Sequence, residues 1–209
     1  MPNSGKLTLT TFLTLDGVMQ APGAPDEDRS GNFHYGGWLV PYFDDDMTRI
    51  VTQAFAKADA FLLGRRTYEI FATHWPRVTD PNDTIAAALN RLPKYVVSKS
   101  LKNAEWKGTT VIGGDIAKHV GELKKRHPRE IQVHGSGDLA QTLIANDLVD
   151  DYHLWLYPVV LGSGKRLFNP GAVPAALTLA DSKRTSTGVV VSTYRRAGKP
   201  SYGSFALDQ

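Results

Sequence analysis

The sequence predicts an α/β fold, a mainly parallel sheet with helices on both faces and an antiparallel C-terminal edge. Three observations carry this reading. Between residues 60 and 150, short apolar runs alternate with amphipathic segments, the pattern of strands joined by crossover helices. Several of these handovers pass through glycine, at Gly64, Gly113-Gly114 and Gly135. After Asp150-Asp151 the alternation stops: residues 152–161 and 189–194 read as two strands with no helical pattern between them, a hairpin-like edge.

Each element has its own signal. Leu7, Leu9, Phe12 and Leu13 interleave with threonines, giving a first strand that breaks at Asp16-Gly17. Residues 20–38 form a long Gly/Pro/Asp-rich loop, and its aromatics Phe33, Tyr35 and Trp38 favour a lid over disorder. Asp44, Asp45 and Asp46 open a helix with Met47, Ile50, Val51, Ala54, Phe55 and Ala58 on one face, and these acids read as capping groups. Residues 60–63 form a strand ending at Gly64, and Arg65-Arg66-Thr67 start the next helix. Residues 84–92 are a short helix stopped by Pro93, and residues 94–98 a strand running into Ser98-Lys99-Ser100. Residues 109–112 lead through Gly113-Gly114-Asp115 into a helix with Ile116, Val120 and Leu123 inward. Lys124, Lys125 and Arg126 end it, where cations offset the helix dipole. The run 131–134 breaks into Gly135-Ser136-Gly137-Asp138 and then into Leu139, Leu143, Ile144 and Leu148. The tail from Ala197 to Gln209 shows no period.

The chain of 209 residues, 42% hydrophobic and 22% charged, fits one domain over residues 1–209, with no repeat or linker. It has no cysteine, which excludes disulfides, thiolate metal sites and cysteine nucleophiles. No run approaches the ~20 apolar residues of a membrane span, so a cytoplasmic protein with no membrane partner is expected. A net charge of +3 with interspersed signs gives no argument for nucleic acid. The apolar residues of 152–161 and 189–194 predict a homodimer built through these strands.

The turn 135–138 is the main functional signal. Gly135 and Gly137 permit a sharp turn and leave the first-turn N–H groups of the following helix open to an anion. A plain β-to-α connection is the other reading of this segment. Arg65, Arg66 and Lys99 fall at neighbouring strand ends, where α/β sheets bind ligands, and Thr67 adds a hydroxyl. Together these suit a dinucleotide carrying an extra phosphate. Gly135 to Ala140 also matches G-x-G-x-x-A, but a Rossmann domain carries that motif in its first unit, with an acid ~20 positions on; here Asp147, Asp150 and Asp151 come too early.

From residue 6 to 196 the chain resembles the dihydrofolate reductase-like family, in the branch of the riboflavin-biosynthesis reductase domain and stand-alone reductases. The matching pieces are Leu15-Asp16-Gly17-Val18, Leu63-Gly64-Arg65-Arg66-Thr67-Tyr68, Val97-Ser98-Lys99, Val133 to Leu139, and Pro158 to Phe168. The resemblance implies an eight-stranded, three-layer fold with NADPH as hydride donor. It assigns Gly64, Arg65, Arg66, Thr67, Ser98 and Lys99 to the adenosine-phosphate end, and Gly135, Ser136, Gly137, Asp138 and Leu139 to the pyrophosphate. Gly17 joins the cofactor set, and the substrate lies near the first strand's loop. Asp16 is then a substrate-orienting or proton-donating group or a plain turn residue, and Trp38 covers the nicotinamide or anchors the loop in the core. Val18 stands where riboflavin-type members carry Lys, and the acids sit at the start of the first helix instead of inside it as in folate reductases. The missing cysteines exclude a deaminase half. The implied activity is NADPH-dependent reduction of a small pteridine- or pyrimidine-like or carbonyl substrate, without a metal. A non-catalytic NADPH-binding module and a flavin- or deazaflavin-using reductase are the alternatives.

Overall fold

The computed structural model describes residues 4–205. Its strands are β1 (Lys6–Thr14), β2 (Ala58–Gly64), β3 (Lys94–Val97), β4 (Thr109–Ile112), β5 (Glu130–His134), β6 (Asp151–Tyr157), β7 (Leu177–Arg184) and β8 (Val190–Arg196). They form one eight-stranded sheet in the order β4-β3-β2-β5-β1-β6-β8-β7. Pairing is parallel from β4 through β6, and β8 runs antiparallel to both β6 and β7.

Five helices complete the layers: α1 (Asp45–Phe55), α2 (Arg65–His74), α3 (Thr84–Arg91), α4 (Ile116–Arg126) and α5 (Gly137–Ala145). Alternation along β1 divides the core, as a period of two requires. Leu7, Leu9 and Leu13 pack with Val120 and Leu123 of α4 and Leu139 and Leu143 of α5. On the opposite face, Phe12 meets Trp155, Tyr157 and the α1 residues Met47 and Ile50. Farther along that face, Phe61 and Leu63 pack under Phe55, Tyr68 and Leu89 from α1, α2 and α3. Among the described residues no helix is long and apolar enough to cross a membrane.

Three boundaries differ from the sequence reading. Helix α1 stops at Phe55, and Ala58 opens β2 instead of extending the helix face. Strand β6 ends at Tyr157, because Pro158 has no N–H for the ladder and the Leu161 and Gly162 N–H groups turn to Asp16 instead. Strand β7 was not anticipated: it is an edge strand, exposed along nearly its whole length, so burial imposes no apolar period on it. Residues 197–205 carry no regular element; the expectation for 206–209 lies outside the described residues.

These differences remove the original argument for a dimer. Strand β6 lies between β1 and β8, so the chain itself buries Tyr152, Trp155 and Tyr157. The true edge, β7, carries Asp181, Lys183 and Arg184, charges that discourage edge-to-edge pairing.

One carboxylate fastens α1 to the β7–β8 turn. Asp44 is the N-cap of α1, accepting from the Met47 N–H at 2.8 Å, and its second oxygen accepts from the Thr187 N–H at 3.1 Å and the Thr187 hydroxyl at 2.9 Å. Desolvation opposes ionisation here, but these donors outweigh it and hold the carboxyl at about 2. The folded-state value lies below the ordinary 3.8, so the contribution to stability is complete above about pH 4 and is lost as pH falls through 2. Asp44→Ala should therefore lower the melting temperature at pH 7, and thermal scans should show its gap from the wild type closing toward pH 2; a gap independent of pH contradicts the assignment.

Candidate functional site

Parallel pairing places the carboxyl ends of β3, β2, β5 and β1 side by side. Two helices start there without a side-chain cap: α2 after Gly64 and α5 after Ser136. By contrast, α1, α3 and α4 are capped by Asp44, Asp83 and Asp115. At α2 and α5 the first-turn N–H groups thus lack the carboxylate that satisfies them elsewhere, and the dipole adds positive potential.

Ser136 joins the two starts. Its hydroxyl accepts from the Gly64 N–H at 3.0 Å and donates to the His134 carbonyl at 3.0 Å, fixing the tips of β2 and β5 to each other. The left-handed residues of the turn are Gly135 and Ser136, both at φ 53°, so Gly137, expected to share the sharp turn, does not make it. A Cβ at Gly135 would find only the Thr67 hydroxyl, at 4.0 Å, so the space before the turn is open. The Asp138 side chain is exposed and Leu139 is buried in the core, so these two face an anion only through backbone N–H groups.

The predicted cations surround this surface in different states. Arg65 Nη1 lies 2.8 and 3.0 Å from the Glu69 carboxylate oxygens, one turn along its own helix. Arg66 Nη1 lies 3.7 Å from Asp28 of the 20–38 loop. Lys99 is exposed and forms no ion pair among the described residues. The Ser98 hydroxyl accepts from the Ser100 and Leu101 N–H groups and shapes the turn that carries Lys99.

Asp16 is a turn residue with partners far along the chain. Its Oδ1 accepts from the Thr14 hydroxyl at 2.6 Å and the Leu161 N–H at 3.2 Å, and its Oδ2 from the Gly162 N–H at 2.9 Å and Arg166 Nη2 at 3.3 Å. The Thr14 hydroxyl, with the Leu161 and Gly162 N–H groups, outweighs desolvation and holds the carboxyl at about 2. An acid this strong carries no proton at neutral pH, and its oxygens already serve the chain, so Asp16 clamps β1 to segment 158–168. Gly17, at φ 79°, completes the turn by donating its N–H to the Thr14 carbonyl at 2.9 Å.

Trp38 also turns inward. It is 7% exposed, donates its indole N–H to the Gln20 carbonyl at 2.8 Å and packs edge-on to Tyr157. Here it anchors the loop's return in the core. Buried Gln20 organises the same loop, donating to the Asp28 and Ser30 carbonyls and accepting from the Lys165 N–H.

A polar row escaped the sequence reading. On the α1 face, His134, Thr10, His153, Thr193 and Asp181 are successive register partners across β5, β1, β6, β8 and β7. All five line one cavity of about 100 Å³, with Phe55 and Trp155 among its walls. Burial pushes the His134 imidazole down to about 3 and lowers His153 too, so both are neutral at pH 7; His134 donates its Nε2–H to Gln132 Oε1 at 3.1 Å and keeps Nδ1 as an acceptor. His134 directly precedes Gly135, which was the available signal; the rest of the row depends on β7 and on sheet register. Among the described residues no group of three His, Asp or Glu side chains converges as metal ligands.

A sheet of this order, with two uncapped helix starts at its carboxyl ends, has the dihydrofolate reductase-like α/β fold. The dihydrofolate reductase of Enterococcus faecalis, solved with NADP(H), superposes with a TM-score of 0.59 over 92% of this chain and 97% of that one, at 12% identity. A pyrimidine reductase-like protein of Corynebacterium diphtheriae superposes with a TM-score of 0.65 over 93% of both chains, at 16% identity. Residues 5–191 match the RibD C-terminal domain model, and the chain belongs to that family. The uncharacterized protein YyaP of Bacillus subtilis (strain 168) is 28% identical over 195 residues, covering 92% of this chain and 96% of that protein.

The Asp16 assignment is open to direct measurement. A carboxyl-carbon NMR titration should place its midpoint near 2, below an ordinary aspartate; a midpoint between about 5 and 7 would restore it as a proton donor.

Proposed function

We propose that this chain is an NADPH-dependent reductase that transfers a hydride to a small heterocyclic, pyrimidine- or pteridine-like substrate. The observation that carries the reading is the pair of uncapped helix starts, α2 and α5, joined through Ser136, with open space before Gly135. Membership in the RibD C-terminal domain family and the likeness to a reductase solved with NADP(H) support it.

The pyrophosphate lies over Gly135–Leu139 and the Gly64–Thr67 turn, where the first-turn N–H groups of residues 136–139 and 65–67 supply the donors. Arg65, Arg66, Lys99 and Ser98 take the adenosine-side phosphate by charge-assisted hydrogen bonds. The cofactor, when bound, supplies the hydride. The chain's own part is to hold the acceptor against it, keep water out and offer neutral imidazoles as polar partners. His134, at the tip of β5, is the residue of the polar row nearest the nucleotide turn, and with its Nε2–H held by Gln132 its Nδ1 suits an N–H or O–H of the acceptor.

A homodimer belongs to the proposal on new grounds. Leu179 and Phe168 are 53% and 47% exposed, beside Tyr194 and Tyr152 on the α4–α5 side of the sheet, and a second copy there would cover them. Light scattering at micromolar concentration should give twice the chain mass of 22.9 kDa, and the single mass would end this part of the proposal.

Activity is tested by following NADPH oxidation with a panel of pteridine, pyrimidine and quinone acceptors. Turnover with at least one ring acceptor is expected, whereas tight NADPH binding without turnover on the whole panel favours a binding module. Each charge-assisted bond to the 2′-phosphate is worth roughly 1.5–3 kcal/mol. Arg65→Ala should therefore weaken NADPH about tenfold or more and leave NADH nearly unchanged. Equal losses for the two would move the 2′-phosphate away from Arg65.

A further inference from the structure

Asp28 of the 20–38 loop stands where two cations from distant parts of the chain meet. Its Oδ2 lies 2.6 Å from Lys165 Nζ and 3.7 Å from Arg66 Nη1, and its Oδ1 accepts from the Ser30 N–H at 3.0 Å and the Ser30 hydroxyl at 2.6 Å. Arg66 comes from the first turn of α2 and Lys165 from segment 158–168, so neither contact follows from local sequence. Desolvation opposes a charge at Asp28, but Lys165 and Ser30 outweigh it and hold the carboxyl at about 2. It is therefore an anion at any ordinary pH. Beside it opens a cavity of about 260 Å³ lined by Gln20, Ser30, Phe33, Ser163, Gly164 and Lys165.

The contacts are unequal. Lys165 is within hydrogen-bond distance, whereas at 3.7 Å Arg66 forms an ion pair without a hydrogen bond, so its donor fork remains available. Both cations are still substantially exposed, with 57% of the Arg66 side chain and 41% of the Lys165 side chain open to solvent.

We infer that Arg66 and Lys165 form an anion site for a phosphate group of the bound nucleotide, with Asp28 as the chain's own stand-in, displaced when the phosphate arrives. The inference rests on the proposed placement of the nucleotide across the α2 and α5 starts. A phosphate presents more acceptor oxygens than a carboxylate and matches the guanidinium fork, so it can replace Asp28 at both cations. Displacement also reaches the loop, because the Asp28 carboxylate ties it to α2 through Arg66 and to segment 158–168 through Lys165. Nucleotide binding thereby loosens the 20–38 segment that the Asp28 ion pairs hold in place.

NADPH is titrated into the wild type, Asp28→Asn, Arg66→Met, Lys165→Met and the double variant Asp28→Asn/Lys165→Met at low ionic strength, followed by nicotinamide fluorescence. An exposed ion pair is worth up to about 1 kcal/mol, so Asp28→Asn should tighten NADPH about three- to fivefold. Arg66→Met and Lys165→Met should weaken it by at least as much, and the gain from Asp28→Asn should vanish in the double variant. If Asp28→Asn binds no tighter than wild type while Arg66→Met binds weaker, the stand-in is overturned and the nucleotide placement survives. If neither Arg66→Met nor Lys165→Met changes binding, the anion site itself is overturned. Trypsin cleavage after Arg29, 66% exposed in this loop, gives a readout on the wild type that depends on no variant folding. Inorganic pyrophosphate should speed that cleavage, and unchanged or slower cutting overturns the displacement even if NADPH itself fails to bind.

Discussion

The hydroxyl of Ser136 is the contact on which the candidate site depends. By accepting from the Gly64 N–H and donating to the His134 carbonyl, it ties the tips of two neighbouring parallel strands at the point where each releases its chain into a helix. Parallel strands alone would bring α2 and α5 to the same end of the sheet, but their first turns could still diverge. With the link, two sets of N–H donors share one open surface, an arrangement suited to a diphosphate that spans both. The cost is a serine in the left-handed region at φ 53°, mild strain that the two hydrogen bonds offset.

The other wall of the site is held by groups that look catalytic in isolation. Asp16 binds segment 158–168 to the end of β1, and Arg166 returns the contact by donating Nε to the Asp16 carbonyl at 2.8 Å. Gln20 and Trp38 fold the 20–38 loop onto the same segment. Ionised or buried, these side chains give shape to the cleft. The polar groups left to meet a ligand are the backbone N–H donors, the cations at the strand ends and the neutral histidines beneath α1.

Local chemistry was legible in the sequence and long-range chemistry was not. Asp44 announces α1 because a cap acts within three residues of itself. The glycines at 64 and 135 mark strand ends for the same reason. Strand β6 read as too long because apolar residues continue past Pro158 into a segment whose N–H groups bind Asp16, 145 residues away. Strand β7 was invisible because an exposed edge leaves no burial pattern, and without it the His134-to-Asp181 row could not be assembled. Asp16 stayed open for a related reason: Asp-Gly is equally the signature of a turn and of a site, and its partners come from the far end of the chain.

The central claim is that a dinucleotide crosses the α2 and α5 starts, and a crystal structure of the protein soaked with NADPH tests it most directly. The account predicts pyrophosphate oxygens within hydrogen-bond distance of the backbone N–H groups of residues 136–139 and 65–67. Density for the cofactor anywhere else, with these N–H groups facing only solvent, would contradict it.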